Sequence, residues 1–239
     1  MFIRNEDLKT YVRLYPIVST IIIIHLILFL VIRIFPNGGL LLHFLSGDNY
    51  AITNGDYYRL ITPIFVHYRF EHFLFNTFSL YLFGPALEQM IGKVKFSILY
   101  FSAGIVANVF SFLLHPLYYS HIGASGAIYG LFGAYLAIIL FKLSYMSTND
   151  KKLILILLFT GIVFSFFTPN VNILAHLFGL ISGFFILPLL FMKKQKTIYY
   201  TPYENQTSYP RTKKRDKKTL SIAFWIVLMI LVLLGILSR

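Results

Sequence analysis

Ser125 stands in the run Gly123-Ala124-Ser125-Gly126-Ala127-Ile128-Tyr129-Gly130, which opens an apolar stretch. A serine at a helix start is ordinarily an N-cap. The stretch 125–141 is 17 residues long, about 25 Å at 1.5 Å per residue, slightly less than a hydrocarbon core of about 30 Å. If its inner end reaches one membrane surface, Ser125 lies beneath the other, an odd depth for a mere cap. A hydroxyl there can act as a nucleophile if a base comes within hydrogen-bond reach. His176 is the candidate base, near the outer end of another apolar run and followed by Gly179 and Gly183. Gly126 with Gly130, and Gly179 with Gly183, each form a G-x-x-x-G pattern that lets helix backbones approach closely in lipid. Packing these two faces together would bring Ser125 and His176 into hydrogen-bond reach. Taken singly, His176 reads as a structural histidine and the glycine pairs as ordinary membrane-helix packing.

His72 and Asn76 are spaced i, i+4 and so share one helical face. Polar groups inside a span are expensive and often functional, and on this pair alone interhelical hydrogen-bonding glue is an equally open reading. None of the nine acidic residues falls in the stretches carrying Ser125 and His176. The arrangement therefore points to a Ser-His dyad, with Tyr129 one turn from Ser125 and available to pack against or orient the imidazole. The zinc motif H-E-x-x-H is absent, no two aspartates lie within spans, and the spacing of His67, His72 and His176 does not demand a metal. There is no cysteine, which excludes disulfides and thiol chemistry. No metal and no cofactor is expected.

The elements that must position these residues follow from composition. Of the 239 residues, 57% are hydrophobic and 13% charged, against roughly 45–50% and 25% in soluble domains. Too little polar surface exists to cover a water-soluble core of this size. The periodicity and length of the apolar runs predict seven spans, over 16–35, 72–90, 96–114, 125–141, 153–167, 172–192 and 220–237. The first is too long for a signal-peptide core and no small-residue cleavage site follows it. The net charge of +12 reflects basic residues clustered between spans, a topological pattern rather than a nucleic-acid site. With the N-terminus inside, 17 of the 21 Lys and Arg are cytoplasmic and only Arg33, Arg59, Arg69 and Arg239 lie outside. The expected organisation is a cytoplasmic N-terminus (1–15), a transmembrane core (16–192), a basic cytoplasmic linker (193–219) and a seventh helix with a short outer tail (220–239).

These residues resemble the rhomboid intramembrane proteases over about 54–184. The aromatic-Arg step of that family is similar to Tyr57-Tyr58-Arg59. His72-Phe73-Leu74-Phe75-Asn76 resembles its H-x-x-x-N, and Gly84-Pro85-Ala86-Leu87-Glu88 its turn at the inner end of the second helix. Gly123 to Gly126 matches its G-x-S-G, and Ala175-His176-Leu177-Phe178-Gly179 with Gly183 its A-H-x-x-G-x-x-x-G. G-x-S-G alone is weak; five motifs in order are strong.

The resemblance implies an all-α polytopic fold with a six-helix catalytic core and an added seventh C-terminal helix. It implies a serine endopeptidase acting in or near transmembrane segments of membrane proteins. Ser125 would attack and His176 would move the proton. His72, Asn76 and the Ser125 backbone N–H would hold the oxyanion, and Tyr129 would be the aromatic beside the histidine. The expected partners are transmembrane protein substrates and membrane lipids, with no nucleic acid; the motifs do not encode an oligomeric state. The expected setting is a bacterial cell membrane, with the site open to the outer side. Two other classes compete. An inactive rhomboid-like binder of membrane helices usually loses Ser or His, and both remain here. A transporter should show inverted repeats and buried acids, which are missing.

Overall fold

The computed structural model describes residues 6–191 and residue 2, except 145 and 170. The seventh span, the basic linker and the end of the sixth span fall outside the described residues. Among those described, the helices in chain order are α1 (Leu8–Leu14), α2 (Pro16–Ile34), α3 (Gly38–Leu45), α4 (Asn49–Thr53), α5 (Phe70–Ile91), α6 (Lys93–Leu114), α7 (Ser125–Phe141), α8 (Thr148–Phe167) and α9 (Ile173–Phe191).

Local chemistry sets the helix ends. α2 begins with Pro16, whose missing N–H is no loss in a first turn. The next two donors, Ile17 N–H and Val18 N–H, are taken by the Glu88 carboxylate at 3.0 and 2.9 Å. Glu88 is thus a buried acid where none was expected, and it is satisfied at the positive end of a helix. Gly92 (φ 80°) both closes α5 and opens α6, a reversal whose backbone conformation only glycine adopts cheaply. α8 starts at a Ser147 cap that accepts from Asp150 N–H at 3.1 Å and donates to the Asp150 carboxylate at 2.7 Å.

α2, α6 and α9 are long and apolar enough to cross a membrane, and α7 is a shorter apolar helix. α5 and α8 reach 22 and 20 residues with more polar faces. Large apolar side chains such as Ile27, Phe78, Phe159, Phe164 and Phe167 stand exposed. In a spanning helix, where the backbone is satisfied internally, such side chains face lipid.

α7 is the central helix, buried over nearly all of 126–138. Small residues make this possible. A Cβ on Gly126 would lie 2.7 Å from the Ala107 Cβ of α6. Cβ atoms on Gly179 and Gly183 of α9 would overlap the carbonyl oxygens of Gly126 and Gly130.

The segment 36–71, which lies between the first two expected spans, is folded. It holds α3, α4 and two 3-10 turns (Tyr57–Leu60 and Thr62–Phe65). It also holds strand β1 (Gly47–Asp48), which pairs antiparallel with β2 (Ser120–His121). Buried Arg59 closes this layer, donating to the Asp56 carboxylate at 3.0 Å and to the carbonyls of His43 and Ser46 at 2.6 and 3.1 Å. Asn108 of α6 ties it down by donating to the Leu60 carbonyl at 2.9 Å.

Candidate active site

Ser125 is the first residue of α7 and is half-buried. The chain reaches it through Gly123, whose φ of 119° lies in the region that disfavours side chains. Gly123 N–H donates to the Pro63 carbonyl at 2.8 Å, and Ala124 N–H donates to His67 Nε2 at 3.3 Å. Burial pushes the His67 pKa well below the ordinary histidine value, with the neighbouring His25 and His72 adding to the effect. The ring is therefore neutral at physiological pH and its Nε2 can accept. The first N–H groups of α7 have no carbonyl partner within their own helix, and the helix dipole makes this end electropositive.

His176 lies in the first turn of α9. Asn172 caps that helix, accepting from Ala175 N–H at 2.9 Å and donating to Ser111 Oγ of α6 at 2.7 Å. The imidazole stacks on the Tyr129 ring, with centroids 4.1 Å apart and planes inclined by 13°. Its Nδ1 is 2.7 Å from Ser165 Oγ on α8, and Tyr129 Oη is 3.1 Å from the same oxygen. A cavity of about 30 Å³, lined by Ile162, Phe166, Ile173 and Leu177 among others, lies beside the ring between α8 and α9.

The structure brings the Ser125 turn and the His176 turn together through the glycine contacts of α7 and α9. It does not join the two side chains. Among the described residues the Ser125 hydroxyl forms no hydrogen bond to His176, whose bonded partner is Ser165. His72 lies against the loop before the serine, since a Cβ on Gly123 would come within 2.5 Å of the imidazole. Asn76 is buried one turn further along α5 and donates to the His72 carbonyl at 2.7 Å. Behind His72 stand His67 and then His25, with ring centroids 5.1 and 4.7 Å apart in turn. Among the described residues no three His, Cys, Asp or Glu side chains converge in a way that could hold a metal ion.

Ser165, His67 and Asn172 were not singled out as partners by sequence reasoning. The available signal for Ser165 was its polarity in an apolar run, where Thr160 is the other hydroxyl between 153 and 167.

The Rhomboid domain family model matches residues 54–193. YdcA of Bacillus subtilis (strain 168), named provisionally as a rhomboid protease, is 42% identical over 82% of this chain and 99% of its own length. The rhomboid protease GluP of the same organism is 34% identical over 72% of this chain and 34% of its own length. RHOMBOID-like protein 1 of Arabidopsis thaliana is 31% identical over 74% of this chain and 46% of its own length. The chain thus spans nearly all of YdcA but less than half of the other two.

Proposed function

Because the chain belongs to the rhomboid family, we propose that it is an integral membrane serine endopeptidase whose nucleophile is Ser125 and whose base is His176. The observation that carries this reading is the meeting of the first turns of α7 and α9, with the imidazole of His176 held on Tyr129, one turn after Ser125. Substrates are membrane proteins cut in or near a transmembrane segment.

Ser125 Oγ attacks the scissile carbonyl carbon as its proton passes to His176. The resulting imidazolium then delivers that proton to the leaving amine, and water repeats the sequence on the acyl-enzyme. The serine and histidine side chains are not yet hydrogen-bonded here, and catalytic hydrogen bonds often tighten only once substrate is bound. The developing oxyanion would be met by the Ser125 backbone N–H at the electropositive end of α7, with His72 and Asn76 from α5. Removing one such donor typically costs about 2.7–4 kcal/mol of transition-state stabilisation. The positions of Lys and Arg favour a cytoplasmic N-terminus and a site open to the outer side. The basic linker 193–219 is suited to lie on anionic lipid, and the seventh span to anchor the chain.

The test is fluorophosphonate labelling of the detergent-solubilised protein together with cleavage of a co-expressed single-span substrate. Wild type should label and cleave; Ser125→Ala should do neither, and His176→Ala should lose cleavage. Substantial turnover by purified Ser125→Ala would overturn the assignment.

A further inference from the structure

We propose that Ser165 is a positioning residue that fixes the tautomer of His176 with the proton on Nδ1, leaving the Nε2 lone pair to accept the proton of Ser125. This rests on His176 being the base. Ser165 is almost wholly buried, and its Oγ lies at the centre of three short contacts. These are the Gly161 carbonyl at 2.7 Å, His176 Nδ1 at 2.7 Å and Tyr129 Oη at 3.1 Å.

Ser165 has one proton to give. If it goes to the Gly161 carbonyl, which can only accept, the oxygen's lone pairs receive both the Tyr129 O–H and the His176 Nδ1–H. All three contacts are then hydrogen bonds. If it goes instead to Nδ1, the contact with Gly161 is left unused and the imidazole proton moves to Nε2, where the ring can no longer act as a base toward Ser125. The first arrangement forms three bonds and the second two.

The first also survives the chemistry. When His176 becomes an imidazolium, the Nδ1–H to Ser165 bond stays in place and becomes charge-assisted, hence stronger. The second would require the serine proton to turn away as the charge develops. Ser165 therefore does for this histidine what a carboxylate does in a triad, from a neutral hydroxyl that costs less to bury than a charge. Gly161 belongs to the same construction, since a Cβ there would come 2.8 Å from Tyr129 Oη. The placement also makes the base depend on α8, the helix least buried against its neighbours among the longer ones described. A displacement of α8 would part Ser165 from the imidazole.

The experiment compares Ser165→Thr with Ser165→Val in the purified full-length chain, two side chains of nearly equal volume that differ in the hydroxyl. Turnover of a single-span substrate should fall about 10- to 100-fold in kcat for Ser165→Val with KM little changed, the range for losing a hydrogen bond to a charged group. Ser165→Thr should retain most of it. Thr160→Val, which removes an exposed hydroxyl on the same helix, should leave kcat unchanged.

In ¹⁵N-histidine-labelled wild type, the ring signals that disappear in His176→Gln should report a protonated Nδ1 and a bare Nε2. A wild-type His176 protonated on Nε2 would overturn the proposal without any Ser165 variant having to fold. Equal kcat for Ser165→Val and Ser165→Thr in an enzyme that still requires Ser125 would overturn the role of Ser165 alone. An active Ser125→Ala enzyme would overturn the serine-protease reading on which it stands.

Discussion

Gly179 of α9 sits so close to Gly126 of α7 that a Cβ on Gly179 would overlap the Gly126 carbonyl oxygen, and Gly183 stands in the same relation to Gly130. The obstruction is backbone, which cannot turn aside as a flexible side chain does. Even Gly179→Ala should therefore force the helices apart, at a cost of about 1–3 kcal/mol for overpacking. Because a displacement of about 1 Å at a reacting centre can cost a hundredfold in rate, kcat/KM should drop with the thermal midpoint. Gly39→Ala, where a Cβ meets nothing within 4 Å, should change neither by much. Equal behaviour of the two variants would show that α7 and α9 do not meet through these glycines.

Asn76→Ala and His72→Ala should each reduce kcat/KM by about 10²–10³ if they remove an oxyanion donor. Fluorophosphonate labelling at Ser125 should remain measurable, since the proposed nucleophile is intact. Gly123→Ala should act in the same direction without touching a reacting atom, because its Cβ would press on the His72 ring from an already strained φ. Full turnover in Asn76→Ala and His72→Ala at subsaturating substrate would rule out the oxyanion role.

Glu88→Gln should destabilise the protein while leaving catalysis by the folded fraction intact. The buried carboxylate accepts from Ile17 N–H and Val18 N–H, and an amide would turn its NH₂ toward one of these donors. The expected loss is about 1.5–3 kcal/mol, as for hydrogen bonds to charged groups. Glu88 is twelve residues from Asn76, about 18 Å along α5, so kcat should not follow the lower thermal midpoint. A matching fall in kcat per folded molecule would contradict that separation.

His121, in strand β2 between α6 and α7, has its pKa pushed down to about 4 from the ordinary 6.5, chiefly by burial and further by the charge of nearby His115. Its Nε2–H donates to Asn108 Oδ1 at 3.1 Å. A folded pKa below the unfolded one means that the unfolded chain binds the proton first. Stability is therefore fully present above about pH 6.5 and is lost as the pH falls toward 4, by up to about 3 kcal/mol from this group. The thermal midpoint in detergent should fall between pH 7 and pH 4.5, and His121→Gln should flatten that fall. Parallel profiles for the two proteins would exclude His121 as the source.

Helix positions and the candidate nucleophile could be read from the sequence because both are written locally. The span expected over 125–141 is α7 as found, and those expected over 72–90, 96–114 and 153–167 lie within helices that begin two to five residues earlier. The early starts have local causes too: the Ser147 cap and its Asp150 partner open α8 before the apolar run begins. A membrane-spanning helix announces itself by length and apolarity, and the two G-x-x-x-G patterns mark faces able to come close. The folded layer over 36–71 was less visible, because its short helices and two-residue strands are held by Arg59 and Asn108 reaching distant carbonyls rather than by any periodic pattern.

What only the tertiary structure decided is which side chains pair across the fold, in the candidate site and away from it. Ser165 meets His176 across 11 residues, His67 meets Ala124 across 57, and Glu88 meets Val18 across 70. The His67 pairing depends on two loops meeting, and the Ser165 and Glu88 pairings on the rotation and vertical register of one helix against another. An apolar run leaves both free, because many rotations bury or expose lipid-facing side chains equally well. Backbone contact between α7 and α9 removes that freedom for the ring stacked on Tyr129, and the packing of Gly161 and Ser165 against Tyr129 brings the hydroxyl of α8 to Nδ1.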